Sequence, residues 1–453
     1  MTATATKKII GKLSFGQGVH PPDRKELSAG RAVEVIRAAG GSEVVVPLSQ
    51  HIGAPCTATV GPKQEVKAGQ EVGRSEAFVS APVHSPANGV VKEVAPRPHP
   101  SGVKALSVVI VVAEEQPEEQ SWRELPEGFD PARWEGPAIL EAIRRAGIVG
   151  QGGAAFPTAV KLTPNAKKPV DTVILNGCEC EPYLTSDQRL MAEAPGPMAA
   201  GLELAMRAAG AERGIIAIED NKPEAINSVL EVVKDRPGIQ LAICQTKYPQ
   251  GGERQLVKAV LGRVAPTGGL PLDVGAAVVN AGTASAVAWA CAAGRACTER
   301  IVAVSGEGVS KPGNYRVWVG MLVGDLLERC GGLTAAATKV LLGGPMTGPS
   351  TGRLDVPIVK GSSGITVLSR GESRDGREEG CIRCSRCVDA CPVRLMPTRI
   401  AQAVKARNLE SARQYDLMAC IECGCCAYVC PSKIPLVQYV RTGKMMERMM
   451  KQG

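Results

Sequence analysis

Eight cysteines near the C-terminal end fall into two matching runs. Cys381, Cys384, Cys387 and Cys391 precede Pro392, and Cys420, Cys423, Cys426 and Cys430 precede Pro431. Each run reads C-x2-C-x2-C-x3-C-P, the spacing that wraps a [4Fe–4S] cubane. Three thiolates two residues apart reach three corners, and the fourth, after a wider gap, points to the other cluster in chains that carry two such runs. The ligand sets are therefore expected to cross. One is Cys381, Cys384, Cys387 and Cys430; the other is Cys420, Cys423, Cys426 and Cys391. Zinc would need paired C-x2-C knuckles, and a third cysteine followed by C-P does not fit them. Cys425 lies inside the second run and reads as a spare thiol.

Two neighbouring clusters pass single electrons and make no bonds, so the donor must lie elsewhere. Upstream stands "GIVGQGGAAFPTAVKL". Gly150, Gly152 and Gly153 let the backbone come close to a ligand. Pro157 suits the first turn of a helix whose free N–H groups attract phosphate, and Lys161 can reach back to it. After the loop, "VDTVILN" reads as a buried strand ending at Asn176, followed by the acidic loop "GCECEPYLTSD". An apolar helix is expected from about Met198. Strand "GIIAIED", helix "KPEAINSVLEVVK", strand "IQLAICQ" and helix "ERQLVKAVLG" then alternate. That alternation predicts a doubly wound parallel α/β sheet, with ligands at the carboxyl ends of its strands, where Asn176, Glu179 and Glu181 would sit. Glu179 and Glu181 are read as facing a ligand rather than as a solvated loop.

The elements around this core are smaller. With 453 residues the chain can form several domains, and 51 Gly and 33 Pro favour compact modules rich in turns. Residues 40–115 hold short strands broken by Gly and Pro and resemble the barrel-sandwich of biotinyl and lipoyl carriers; Phe78 stands near where a carrier lysine would fall. The insert between the cysteine runs places Ile400, Val404 and Leu409 at helical spacing, which predicts a helical two-cluster module. "GESRDGREEG" reads as a linker, and "KMMERMMKQG" as the end of an amphipathic helix making a core or partner contact. The net charge of +8 is not gathered into a basic, aromatic-studded stripe, which argues against nucleic-acid binding. No signal peptide is read at the start, and the longest apolar run, "LSVVIVVA", has only strand length. A cytosolic chain, or one held to a membrane by partners, is expected. Sixteen cysteines there argue for metal and redox use rather than disulfides. The four histidines, His20, His51, His84 and His99, read as surface or packing residues.

The glycine loop, "NGCECEP", "GGERQL" and "VVNAGTASAV" resemble the FMN- and NADH-binding subunit of respiratory complex I. Together with "FGQGVHPPDRKEL" and the module order over nearly the whole chain, they resemble still more the RnfC subunits of ion-pumping ferredoxin–NAD oxidoreductases. The resemblance implies that Gly150, Gly152, Gly153, Lys161, Asn176 and Asn280 hold FMN. It implies that Glu179, Glu181 and Glu253 line the flavin and nicotinamide pocket, Glu179 and Glu181 as catalytic residues, and that Phe156 stacks on the dinucleotide. Cys178 and Ala281 depart from complex I, which has an acidic residue and a second Asn there. NAD(H) would exchange hydride with the flavin, and the clusters would relay electrons to partner membrane flavoproteins, integral membrane subunits and a ferredoxin-type subunit, and so indirectly to ferredoxin. The chain would then sit peripherally at the cytoplasmic face of the membrane. The expected modules are an N-terminal segment at 1–39, the barrel-sandwich at 40–115, the FMN and NADH α/β domain at 116–299, a β-grasp (SLBB-type) unit at 300–370, and the ferredoxin-type domain at 371–453. The alternative is a soluble flavin and iron–sulfur cobalamin reductase built from related modules.

Overall fold

The computed structural model describes residues 8–373 and 376–450. The start of the N-terminal stretch, Arg374 and Asp375 of the expected linker, and the last three residues of "KMMERMMKQG" lie outside the described residues.

The alternation of apolar runs and amphipathic helices builds a five-stranded, all-parallel sheet. Its order is Ile9–Leu13, Ile239–Cys244, Arg213–Glu219, Thr172–Gly177, Ala276–Asn280. Ile174, Leu175, Ile215, Ile216 and Leu241 have no exposure, as expected of strands covered on both faces. From Thr172–Gly177 the chain winds outward through two strands, then returns to place Ala276–Asn280 on the other side. The strand order reverses there, and such a switch point opens a crevice at the strands' carboxyl ends. Asn176 and Asn280 are directly opposite each other in that register.

Two local expectations are corrected. The apolar helix is Pro195–Ala209 and begins earlier than Met198. A separate helix, Ser186–Glu193, starts inside the stretch read as loop. The helix after Pro157 is only Thr158–Leu162. The N–H of Thr158 donates to Ile148 O at 3.0 Å, because Val149 and Pro157 bridge and close the glycine loop on itself. That N–H is therefore not free for a phosphate.

The β-grasp unit is built on a six-stranded mixed sheet, and the barrel-sandwich on a four-stranded and a three-stranded antiparallel sheet around Val44, Val46, Val72, Val83, Val108 and Ile110. Phe78 is 75% exposed on the bend where a carrier residue would stand. The cysteine-rich region is helical, with Pro397–Lys405 packing on Leu436–Met450, and Ile400, Val404 and Leu409 are buried. On the last helix Met445, Met449 and Met450 stay exposed, while Glu447 is buried against Arg413 at 2.6 Å.

Within the expected N-terminal segment, residues 8–39 pair with two other units. Ile9–Leu13 is an edge strand of the parallel sheet, and Val33–Val35 pairs in parallel with Gly313–Trp318 of the β-grasp sheet. Between them Lys25, buried, donates to the backbone oxygens of Glu181 (3.1 Å) and Leu184. Among the described residues no helix is long and apolar enough to cross a membrane.

Candidate functional site

The switch point opens into a cleft of about 1050 Å³. That is at the upper end of the roughly 300–1,000 Å³ usual for one small-molecule ligand. All ten residues singled out in the sequence line it: Gly150, Gly152, Gly153, Phe156, Lys161, Asn176, Glu179, Glu181, Glu253 and Asn280. Gly153 has φ +109°, a conformation that favours glycine, and a Cβ there would meet nothing within 4 Å. The loop thus presents bare backbone to open space.

Several of these side chains already have protein partners. Asn176 Nδ2 donates to Gly251 O at 2.8 Å, fixing the 249–252 turn to the strand end. Asn280 Oδ1 caps the Ala281–Ala293 helix through the N–H groups of Gly282 and Thr283, and its Nδ2 donates to Asp187 at 2.6 Å. Glu179 caps too: its carboxylate accepts from Ser186 Oγ, Asp187 N and Gln188 N at the start of the Ser186–Glu193 helix. Glu181 accepts from Met346 N at 3.0 Å and from Thr347 Oγ1, both in the β-grasp unit, and burial raises its pKa. Lys161 pairs with Glu253 at 2.7 Å and also donates to Val278 O. It is a cation beside the glycine loop.

Sequence reasoning missed Asp187. It lines the cleft and also a second cavity of about 110 Å³ behind it. Burial, then the charge of Glu179, raises its pKa to about 7. The signal lay in "TSDQ", a helix start read as loop. Below the acidic loop, Lys222 and Glu219 form a fully buried pair at 2.6 Å. Burial pulls Lys222 down, but Glu219 outweighs this and its pKa ends raised.

The cleft extends to Ile421 and Cys423 of the cysteine-rich domain. Tyr248 Oη donates to Cys423 O at 2.6 Å, and Val19, Tyr248, Ala390 and Cys425 pack together at this junction. Cys391 shares a small cavity with Cys420, Cys423, Cys425 and Cys426, walled by Leu395, Ile400, Val437 and Val440. Cys387, Cys426 and Cys430 belong to a neighbouring apolar cluster, so Cys426 touches both groups. An apolar void lined by cysteines suits an iron–sulfur cubane, four of them as ligands that stand apart from one another. Among the described residues no three His, Cys, Asp or Glu converge closely enough to hold a single metal ion. Cys425 Sγ also lies 3.9 Å from Tyr248 O.

For a flavin phosphate and ring the donor set fits: a bare glycine backbone, the Lys161 cation, and Thr158, whose buried Oγ1 has no partner and which lines the cleft.

Comparison with known proteins follows the same module order. The RnfC barrel sandwich hybrid domain matches residues 13–115, the Nuo51 FMN-binding domain 143–289, the SLBB domain 301–350 and the 4Fe-4S dicluster domain 380–434. The C subunit of the proton-translocating ferredoxin:NAD(+) oxidoreductase complex of Clostridium ljungdahlii is 41% identical over 96% of this chain and 94% of its own length. The Na(+)-translocating counterpart of Acetobacterium woodii is 39% identical over 95% and 96%. The C subunit of the ion-translocating oxidoreductase complex of Rhodobacter capsulatus is 38% identical over 97% of this chain and 84% of its own. Among solved structures, an NAD+-reducing [NiFe]-hydrogenase chain aligns over 68% of this chain and 61% of its own at 23% identity and TM-score 0.49, too loose a likeness to carry weight. The cobalamin reductase reading finds no support in these relatives.

Proposed function

The chain belongs to the RnfC family, the C subunits of ion-translocating ferredoxin:NAD(+) oxidoreductase complexes, and from that premise we propose how its residues divide the work. It is an oxidoreductase subunit that binds FMN and two [4Fe–4S] clusters, exchanges electrons with NAD(H) and passes them to the other subunits of the complex. A bound FMN takes electrons as a hydride pair and releases them singly, a conversion that one-electron clusters cannot perform.

In this reading the 150–153 backbone and Lys161 hold the flavin phosphate, with Lys161 leaving Glu253 to do so. Asn176 and Asn280 brace the strand ends beneath the ring, and Phe156 stacks on the dinucleotide. Glu179 acts by ordering the Ser186–Glu193 helix, whereas Glu181, held by the β-grasp turn, faces the nicotinamide side. The partners are the membrane flavoproteins, integral membrane subunits and ferredoxin-type subunit of the complex. The chain sits at the cytoplasmic face, where NAD(H) is available. The observation that carries this is the continuity of one cleft from the glycine loop to Cys423.

Anaerobic NADH titration of flavin- and iron-loaded protein, followed by absorbance and EPR, tests it. Flavin bleaching with two sets of reduced-cluster signals is expected. Protein that binds no flavin, or ignores NADH, would refute it.

A further inference from the structure

The barrel-sandwich module reaches the cleft. Two of its loops, 49–52 and 99–101, contribute Ser49, Gln50, His51, Ile52, His99 and Ser101 to the lining. Ile52 N donates to Ala155 O at 3.2 Å, which sets this rim beside the glycine loop and one residue from Phe156. The Ile52 side chain is nevertheless 54% exposed, an apolar group left uncovered at a polar crevice. Gln50 is 3% exposed; its Oε1 accepts from Lys360 N at 3.1 Å, while its Nε2 has no partner. A buried amide donor without an acceptor is costly unless a ligand supplies one.

His99 ties the two loops together. Its Nε2 lies 3.1 Å from Ser49 O, and its Nδ1 accepts from Ser101 N at 3.1 Å. This pattern needs the neutral ring with its proton on Nε2, and burial lowers the His99 pKa accordingly. The rim is thus braced, uncharged and partly apolar. The other walls carry the charges: Lys161, Glu181, Glu253 and Arg254.

A nicotinamide dinucleotide has a charged pyrophosphate between two uncharged heteroaromatic ends. The nicotinamide end must lie on the flavin to exchange hydride, so the adenosine end is the part left for an uncharged rim. We propose that the 49–52 and 99–101 loops of the barrel-sandwich module bind the adenosine end of the dinucleotide, with Ile52 against the base and Gln50 Nε2 as a donor. The module is then a substrate-binding element and not a spacer. This rests on reading the cleft as the flavin and dinucleotide site.

The test uses the flavin- and iron-loaded full chain and two variants, Ile52→Glu at the exposed rim and His99→Ala, which releases the brace. ADP-ribose binding is measured by calorimetry, and flavin reduction by NADH is compared with reduction by reduced nicotinamide mononucleotide, which lacks adenosine. We expect both variants to bind ADP-ribose and NADH roughly tenfold more weakly, a loss of about 1.4 kcal/mol. The flavin-to-protein ratio and reduction by the mononucleotide should stay at the parent level. Unchanged ADP-ribose affinity in both variants overturns the proposal, and so does an equal loss for NADH and the mononucleotide. If the parent protein itself neither binds ADP-ribose nor accepts electrons from NADH, the reading of the cleft fails with it.

Discussion

The two cysteine runs share one spacing but not one environment. Cys381 and Cys384 are exposed, with the bare side chains of Ile382 and Arg383 between them. Cys420, Cys423 and Cys426 are wholly or partly buried, and burial pushes Cys420 up to about 11 and Cys391 up as well. Only the second run also touches the flavin cleft, through Ile421 and Cys423. The first run also holds two buried thiols, Cys387 and Cys391, so only its Cys381–Cys384 end faces outward. Single electrons are expected to go from the cleft to the set containing Cys423, then to the set containing Cys381, and out through the exposed face.

The most damaging way to probe this order is Cys423→Ala. It should remove about half of the cluster iron, and NADH should still bleach the flavin but leave the remaining cluster largely oxidised in freeze-quenched EPR. Cys391→Ala should give the same spectrum, because its thiol lies with the inner set. Cys384→Ala should instead leave the inner cluster reducible by NADH; if it, and not Cys423→Ala, isolates the clusters from the flavin, the order is reversed.

Next in size is Lys161→Glu, which sets a carboxylate beside Glu253 where a phosphate is expected. A lost charged hydrogen bond is worth roughly 1.5–3 kcal/mol, so flavin retained through gel filtration should fall at least tenfold; equal retention would take the phosphate away from this loop. Tyr248→Phe deletes the hydroxyl that donates to Cys423 O and should lower stability by about 1 kcal/mol. Melting temperature reads this, and no change would mean that the junction does not depend on that bond.

The smallest effect at neutral pH concerns Asp187. Its folded pKa of about 7 lies above the ordinary 3.8, so the folded chain holds a proton that the unfolded chain releases. That stabilisation is present below about pH 4 and is lost as pH rises toward 7. Asp187→Asn should flatten this slope in denaturant titrations of the apoprotein between pH 5 and 7, by about 1.4 kcal/mol for each pH unit; an unaltered slope would assign it to another group.

Legibility follows how local each feature is. The cysteine runs and the parallel sheet are written in adjacent residues, through fixed spacing and alternating apolar periods, and both are visible in the sequence. Asn176 could be placed at a strand end from the run before it, but its register with Asn280 depends on a long-range pairing. Glu179 could be placed at the cleft from the sequence, but nothing in "CECEP" shows that a helix begins seven residues later and takes its oxygens. Gln50, Ile52 and His99 carried no signal, since their place at the cleft comes from one module docking on another. The linker shows the same limit: Glu372 bonds Tyr183 at 2.9 Å, and Glu378 bonds Lys405 at 2.8 Å, so its ends are fastened.

The first strand and the Val33–Val35 strand belong to different sheets, with buried Lys25 pinned between them. This early stretch works as a strap across two modules. The flavin sheet and the β-grasp sheet cannot part without unzipping a strand from one of them. Between the two strands Gly18 N donates to Ala390 O at 3.2 Å, so the same stretch also fastens the cysteine-rich domain, and with it the spacing an electron must cross, to the flavin sheet.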